Sequence, residues 1–298
     1  MREVSLKTAG GELIFEVTQQ EAHLARTAGP VSAPEVPDLV EGMRVTAVSR
    51  KAFLGKKTLR RITLPETVTR IGDWAFAGCD RLREITLPRA ELEKSVFLGC
   101  TALRTVRIPG REGALSEEDT AALLAAAAPR PEGAYLMDLQ EAGSAAWLRK
   151  WDAWTAAFLR ESDQEGYAKQ ILCGEEDYGS TDLAAFESRR RQEKAERCML
   201  RLMHDGGLTP EFRQSLTSYV TDHIPGAGEH GGESWLAVVG LHPAEPEWIR
   251  LFDSLGGITA ANVGDLLQSV PEEYPELRAY LMKSRSSGAD SFFAGLAL

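Results

Sequence analysis

Leu59-Arg-Arg-Ile-Thr-Leu-Pro65 returns as Leu82-Arg-Glu-Ile-Thr-Leu-Pro88 and again as Leu103-Arg-Thr-Val-Arg-Ile-Pro109, at spacings of 23 and 21 residues. Between the copies runs a second element, Val68-Thr-Arg-Ile-Gly-Asp-Trp-Ala-Phe-Ala-Gly-Cys79, with other forms at Val45–Gly55 and Val96–Cys100. A period of about 20–29 residues built on L-x-x-I-x-L is the sequence sign of a chain coiled upon itself as a solenoid. Strand alternation turns Leu59, Ile62 and Leu64 inward and leaves Arg61 and Thr63 outside. Pro65, Pro88 and Pro109 end each strand, because proline offers the ladder no N–H. Phe53, Phe76 and Phe97 fall in register as an expected internal spine. Gly55, Gly78 and Gly99 suit a tight return turn. Cys79 and Cys100 take a small, buried position behind them.

The run LVEGMRVTAVSRKAFLGKKTLRRITLPETVTRIGDWAFAGCDRLREITLP, Leu39 to Pro88, resembles the BspA-type leucine-rich repeat, whose units follow V-T-x-I-G-x-x-A-F-x-G-C-x-x-L-x-x-I-x-L-P. The similarity covers about residues 10–110 and includes a β-rich opening, GELIFEVTQQEAHLART. Two departures stand out: the stretch 88–97 is two residues shorter than 65–76, and Lys56 stands where cysteine is usual. The resemblance implies a bacterial binding scaffold without an active site, in a family often found on cell surfaces.

Beyond Pro109-Gly110 the composition turns helical. Ser116-Glu-Glu-Asp119 is a capping-box-like start to an Ala/Leu run that stops at Pro129. Trp147, Trp151, Trp154 and Phe158 line one helical face and are expected to be core or an interdomain contact. A charged helix is expected from Thr181 to His204, closed by Gly206-Gly207. Thr209-Pro210-Glu211 caps the next, with Phe212, Leu216, Tyr219 and Val220 inward. Shorter helices are expected around 233–241, 246–255, 259–268 and 273–283. The tail, Gly257–Asn262 with Leu277–Met282, faintly resembles a degenerate ankyrin repeat. The expected fold class is therefore α+β: a short solenoid domain over 1–110, then an all-α helical-hairpin domain over 111–298.

Charge and composition narrow the function. The 298 residues carry a net charge of −10, no stretch of 18 apolar residues, and four cysteines, too few for a disulfide framework in a chain this long. The start, MREVSLKTAGGELIF, has no apolar signal-peptide core, so a reducing cytoplasm is expected. Gly226-Ala-Gly-Glu-His-Gly231 matches G-x-G-x-x-G, but no strand or βαβ unit surrounds it, so an interhelical loop is expected. Gly55-Lys-Lys-Thr58 lacks the upstream glycine of a phosphate loop. His23, His204, His223, His230 and His242 have no zinc-ligand spacing, and Cys198 and His204 sit about 240° apart around a helix. No catalytic residue, metal site or cofactor is assigned.

The binding expectation rests on the strands. Arg61, Thr63, Glu84, Thr86, Thr105 and Arg107 should form one flat exposed ladder. Beside them, Arg60, Arg83 and Arg104 should stack as a basic stripe, unless they pair with Glu66, Glu84 and Asp80. Residues 1–110 hold 17 basic and 13 acidic side chains, whereas 111–298 hold 17 and 31. The expected role is a non-catalytic scaffold or adaptor for another protein, with an anionic surface as a candidate partner. RNA binding lacks the interleaved aromatics it would need. The alternatives are an enzyme with a site between the domains, using His204, Asp205 or His230, and a surface adhesin.

Overall fold

The computed structural model describes residues 2–8, 11–110, 113–167, 182–226 and 231–284. These fall into two compact units, Met1–Trp154 and Thr155–Leu298.

The first unit opens with a meander, β1 (Arg2–Thr8), β2 (Gly11–Val17) and β3 (Ala22–Ala28), each pair antiparallel. The chain then winds. After the short β4 (Leu39–Val40), β5 (Met43–Val48) pairs in parallel with β3, and β7 (Arg70–Ile71) and β9 (Glu91–Leu92) add below it. A second, three-stranded parallel sheet alternates with these: β6 (Arg61–Thr63), β8 (Glu84–Thr86) and β10 (Thr105–Arg107). Each coil thus gives one short strand to each sheet. Because the third coil is shortened, its strand in the first sheet is Glu91–Leu92, which the repeat pattern alone does not display.

The core between the sheets is made of the repeat's inward positions. Leu59, Ile62, Leu64, Leu82, Ile85, Leu87, Leu103, Val106 and Ile108 are all buried. The phenylalanine rings stack as expected, Phe53 on Phe76 at 4.9 Å and Phe76 on Phe97 at 5.6 Å. Each cysteine ties its coil to the one above: the Cys79 thiol donates to the Phe53 carbonyl at 3.1 Å and the Cys100 thiol to that of Phe76 at 3.2 Å. Desolvation pushes these thiols up to about 11 and about 12, so they are inert. Lys56, at the same position in the first coil, instead donates its ammonium to the Thr27 carbonyl at 3.1 Å. At the turn Gly78 has a φ of +69°, and the same left-handed geometry recurs at Gly55 and Gly99.

A helical cap follows. In α1 (Glu117–Ala127) the Ser116 hydroxyl accepts from the Asp119 N–H, and the helix packs against β10. A 3₁₀ turn (Pro131–Leu136) leads to α2 (Ala145–Arg160). Trp147 and Trp151 are fully buried, with their indole N–H groups bonded to the carbonyls of Leu136 (2.8 Å) and Leu123 (3.2 Å). The tryptophan stripe is core.

The second unit is helical. It contains α3 (Leu183–Met203), α4 (Pro210–Asp222), α5 (Glu233–Leu236) running into a π turn (Ala237–Leu241), α6 (Pro246–Ser254), α7 (Val263–Ser269) and α8 (275–284). Asp182 caps α3; the expected start, Thr181, lies outside the described residues. Thr209 caps α4 through the Phe212 N–H, and Leu216 and Val220 face inward. The helix expected over 259–268 begins at Val263, and before it Thr259 and Asn262 exchange hydrogen bonds in the reciprocal manner of a capping box. Cys198, Met199, Trp235, Trp248, Ile249, Phe252, Leu266 and Leu281 are among the residues of its core.

Candidate functional site

The exposed ladder is built by register. Parallel pairing sets Arg61, Glu84 and Thr105 in one row and Thr63, Thr86 and Arg107 in another, with Ile62, Ile85 and Val106 buried between. One residue earlier, the backbones of Arg60, Arg83 and Arg104 are bonded directly: the Arg83 N–H donates to the Arg60 carbonyl and that of Arg104 to the Arg83 carbonyl, both at 2.8 Å. Neighbouring strands lie about 4.8 Å apart, so the three exposed arginines project from one narrow stripe.

The expected acidic partners are distributed otherwise. Asp80 pairs with Lys57 at 2.8 Å, and Glu84 faces Arg107 at 4.0 Å. Arg107 also meets Glu117 at 3.5 Å, while the Arg104 guanidinium donates to the Thr101 and Leu103 carbonyls. Among the described residues, no ion pair involves Arg60, Arg61 or Arg83. The guanidinium groups of Arg60 and Arg83, one strand apart and outside any ion pair among the described residues, contribute a local positive field suited to an anionic surface.

The other motifs resolve structurally. Lys56, Lys57 and Thr58 of the Gly55–Thr58 run bond to Thr27, Asp80 and Val31 within the solenoid. Residues 227–230 of the G-x-G-x-x-G match, including His230, lie outside the described residues. Cys198 is fully buried, and burial holds its thiol far above the usual range. His204 closes α3 and its carbonyl accepts from Arg201, while Asp205 pairs with Arg213. Among the described residues, no group of three His, Cys, Asp or Glu side chains could hold a metal.

Two buried polar clusters of the second unit escaped the sequence. The Arg191 guanidinium donates to Glu233 at 2.7 Å and to Asp163 at 3.3 Å, and the Lys194 ammonium reaches Asp163 at 2.7 Å and the Glu161 carbonyl at 2.6 Å. Burial opposes the charge on both carboxylates, yet these cations hold Asp163 and Glu233 below the ordinary range. Two cations matched to two anions clamp α3 to α5. In the second cluster His242 stacks on Trp248 at 3.5 Å and bonds Glu196 and Glu245, each at 3.0 Å. Burial disfavours the imidazolium there, but the two carboxylates outweigh it and raise its pKa. Both clusters join residues about 40 or more apart in sequence, as in Arg191–Glu233 and Glu196–His242, so no local pattern announces them.

A groove also emerges in the first unit. The outer edge of the third coil, 91–98, faces the 128–140 segment across a cavity of about 590 Å³. Leu98 and Tyr135 line it with exposed apolar surface.

Residues 40–118 match the BspA type leucine rich repeat region, in six copies. Among solved structures, the chain is similar to a leucine-rich repeat protein of T. pallidum, at 31% identity over 32% of this chain and 50% of that one, with a TM-score of 0.30. It is also similar to leucine-rich repeat proteins from Bacteroides capillosus (26% identity, 36% and 83% covered, TM-score 0.31) and Bacteroides ovatus (22%, 35% and 29%, 0.30). The matched part spans half the length of the T. pallidum protein. No curated protein matches the chain.

Proposed function

We propose that this chain is a non-catalytic protein-interaction scaffold, and that its solenoid holds a partner protein through an acidic surface laid on the β6–β8–β10 ladder. The observation that carries this reading is the arginine stripe: Arg60, Arg83 and Arg104 stack in backbone register, and Arg61 stands beside them. Thr63, Thr86 and Thr105 add hydroxyl groups for short-range bonding on the same face. The balance of 17 basic to 13 acidic residues over 1–110 supports attraction of an anionic protein from a distance. A reducing compartment is part of the proposal, supported by the free thiols of Cys79, Cys100 and Cys198.

The test is affinity capture with the full chain and with Arg60→Glu/Arg83→Glu/Arg104→Glu. The triple variant should keep its circular dichroism spectrum and lose its partner. Capture by the wild type should weaken steeply between low and physiological salt. Capture unaltered by the triple substitution would rule out the stripe.

A further inference from the structure

The stack of coils is left open along one edge. Coil to coil, three amides donate to the chain below at every second residue: Lys51, Phe53 and Gly55 bond the carbonyls of Asp73, Ala75 and Ala77, and Trp74, Phe76 and Gly78 bond those of Lys94, Val96 and Leu98. Ser95, Phe97 and Gly99 are the third set, and among the described residues none of their N–H groups has an acceptor. Phe97 is only 1% exposed, and a buried amide without a partner is costly. In the same coil β9 ends its sheet, pairing with β7 alone. The end strand of the other sheet, β10, has α1 packed against it. The uncovered edge, 91–98, is the one that lines the groove.

Hydrogen bonding and charge specify what fits there. The missing partner is a polypeptide that presents carbonyls at every second residue, as each lower coil does for the one above it. A second copy of this chain meeting it edge to edge would set donors against donors. Register then fixes one side chain of the occupant. Arg70 pairs with Glu91 across coils, each of them three residues before the first accepting carbonyl of its coil, Asp73 or Lys94. The same position in the occupant falls beside Glu91, whose exposed carboxylate has no ion pair among the described residues. The Gln140 side-chain amide donates to the Arg89 carbonyl at 2.9 Å, which draws Asp138 toward the same end. In the lining, the carboxylates of Glu91, Glu93 and Asp138 outnumber the cations of Lys94 and Arg130. A basic side chain beside Glu91 makes the favourable cross-strand pair. Leu98 and Tyr135, exposed at 40% and 52%, offer apolar surface to the residues that follow.

We infer that the groove takes a segment of a partner protein as a surrogate coil. Its basic residue sits beside Glu91, and three residues further on it begins a run of alternate carbonyls that accept from Ser95, Phe97 and Gly99. This site lies on the edge of the first sheet, apart from the arginine stripe of the β6–β8–β10 ladder, and does not rest on it.

The chain's own second coil supplies a probe. A synthetic peptide of Arg70–Gly78 has its arginine three residues ahead of Asp73 and carries Asp73, Ala75 and Ala77 in the accepting positions. Added to the full chain at about 5 mM, it should slow hydrogen exchange at Ser95, Phe97 and Gly99 about sixfold, the factor of one plus concentration over Kd for a site of about 1 mM. Trp74, Phe76 and Gly78 should be unchanged. The same peptide carrying Arg70→Glu should protect about twofold less, and Glu91→Lys in the protein should reverse that preference. Arg60→Glu/Arg83→Glu/Arg104→Glu should take the peptide as the wild type does; loss of protection there would place the peptide on the stripe and overturn the inference. Unchanged exchange at Ser95, Phe97 and Gly99 overturns it, as does equal protection by the two peptides. Exchange already slow without peptide also overturns it: the chain itself then closes the edge, or a second copy does if protection grows with protein concentration.

Discussion

Replacing Phe76 by alanine probes what holds the coils together. Phe76 is fully buried and stacks on both sides, whereas Phe53 and Phe97 each stack on Phe76 alone among the described residues. Removing a buried phenylalanine side chain costs about 3–5 kcal/mol in lost transfer energy and cavity. Each aromatic pair adds about 0.5–1.5 kcal/mol within or above that. Phe76→Ala should therefore cost about 4–5 kcal/mol, and Phe53→Ala or Phe97→Ala about 1 kcal/mol less. Phe76→Leu keeps most of the volume and should cost only about 1–1.5 kcal/mol. The chain supplies its own site-resolved assay, because Cys79 and Cys100 are buried in the solenoid and Cys198 in the helical unit. Thiol labelling across a urea series, read peptide by peptide in a mass spectrometer, reports each unit separately, which matters because two units need not unfold together. With a slope near ~2 kcal/mol/M, a loss of 4 kcal/mol lowers the midpoint at Cys79 and Cys100 by ~2 M. Cys198 should move little. A shift below about 0.5 M at Cys79, or equal shifts for Phe53→Ala and Phe76→Ala, would refute the stacked spine as the main tie between coils.

Three further outcomes are expected. His242 has a raised folded pKa, so its charge contributes stability fully present below the unfolded value of about 6.5 and lost as pH rises through the folded value. The urea midpoint at Cys198 should thus fall from pH 6 to pH 9, and His242→Gln should flatten that dependence; an unchanged slope contradicts the imidazolium assignment. Gly72→Ala would place a Cβ 2.6 Å from the Arg50 backbone nitrogen, so it should cost about 1–3 kcal/mol at Cys79. Thr209→Ala removes the hydroxyl that accepts from the Phe212 N–H at 3.2 Å and should cost about 1 kcal/mol at Cys198, with Thr209→Ser largely restoring it.

Much of the first unit was legible because each coil repeats the same chemistry at the same place. The Phe53–Phe76–Phe97 spine, the turn glycines and the buried Cys79 and Cys100 follow from period alone. The strand Glu91–Leu92 did not, since the shortened coil hides it among charged residues and only pairing with Arg70–Ile71 defines it. In the second unit, local caps such as Thr209 were readable, but the start of α7 at Val263 was not, since the apolar pattern does not register where backbone pairing begins.

The candidate site divides in the same way. Sequence spacing determined that Arg60, Arg83 and Arg104 would share a stripe, because equal positions in successive coils must superpose. Which carboxylates neutralise which cations was decided only in three dimensions: Asp80 turned to Lys57, and Glu84 faced Arg107. The groove beside 91–98 and the Arg191–Glu233 and His242 clusters likewise needed the fold. Their parts lie tens of residues apart, and periodicity carries information only along the chain. The amino-acid order thus determined the repeating unit and its exposed face, because both are set by neighbours within one coil. The tertiary structure alone decided which charges pair and where a groove opens, because such contacts exist only once the coils have stacked.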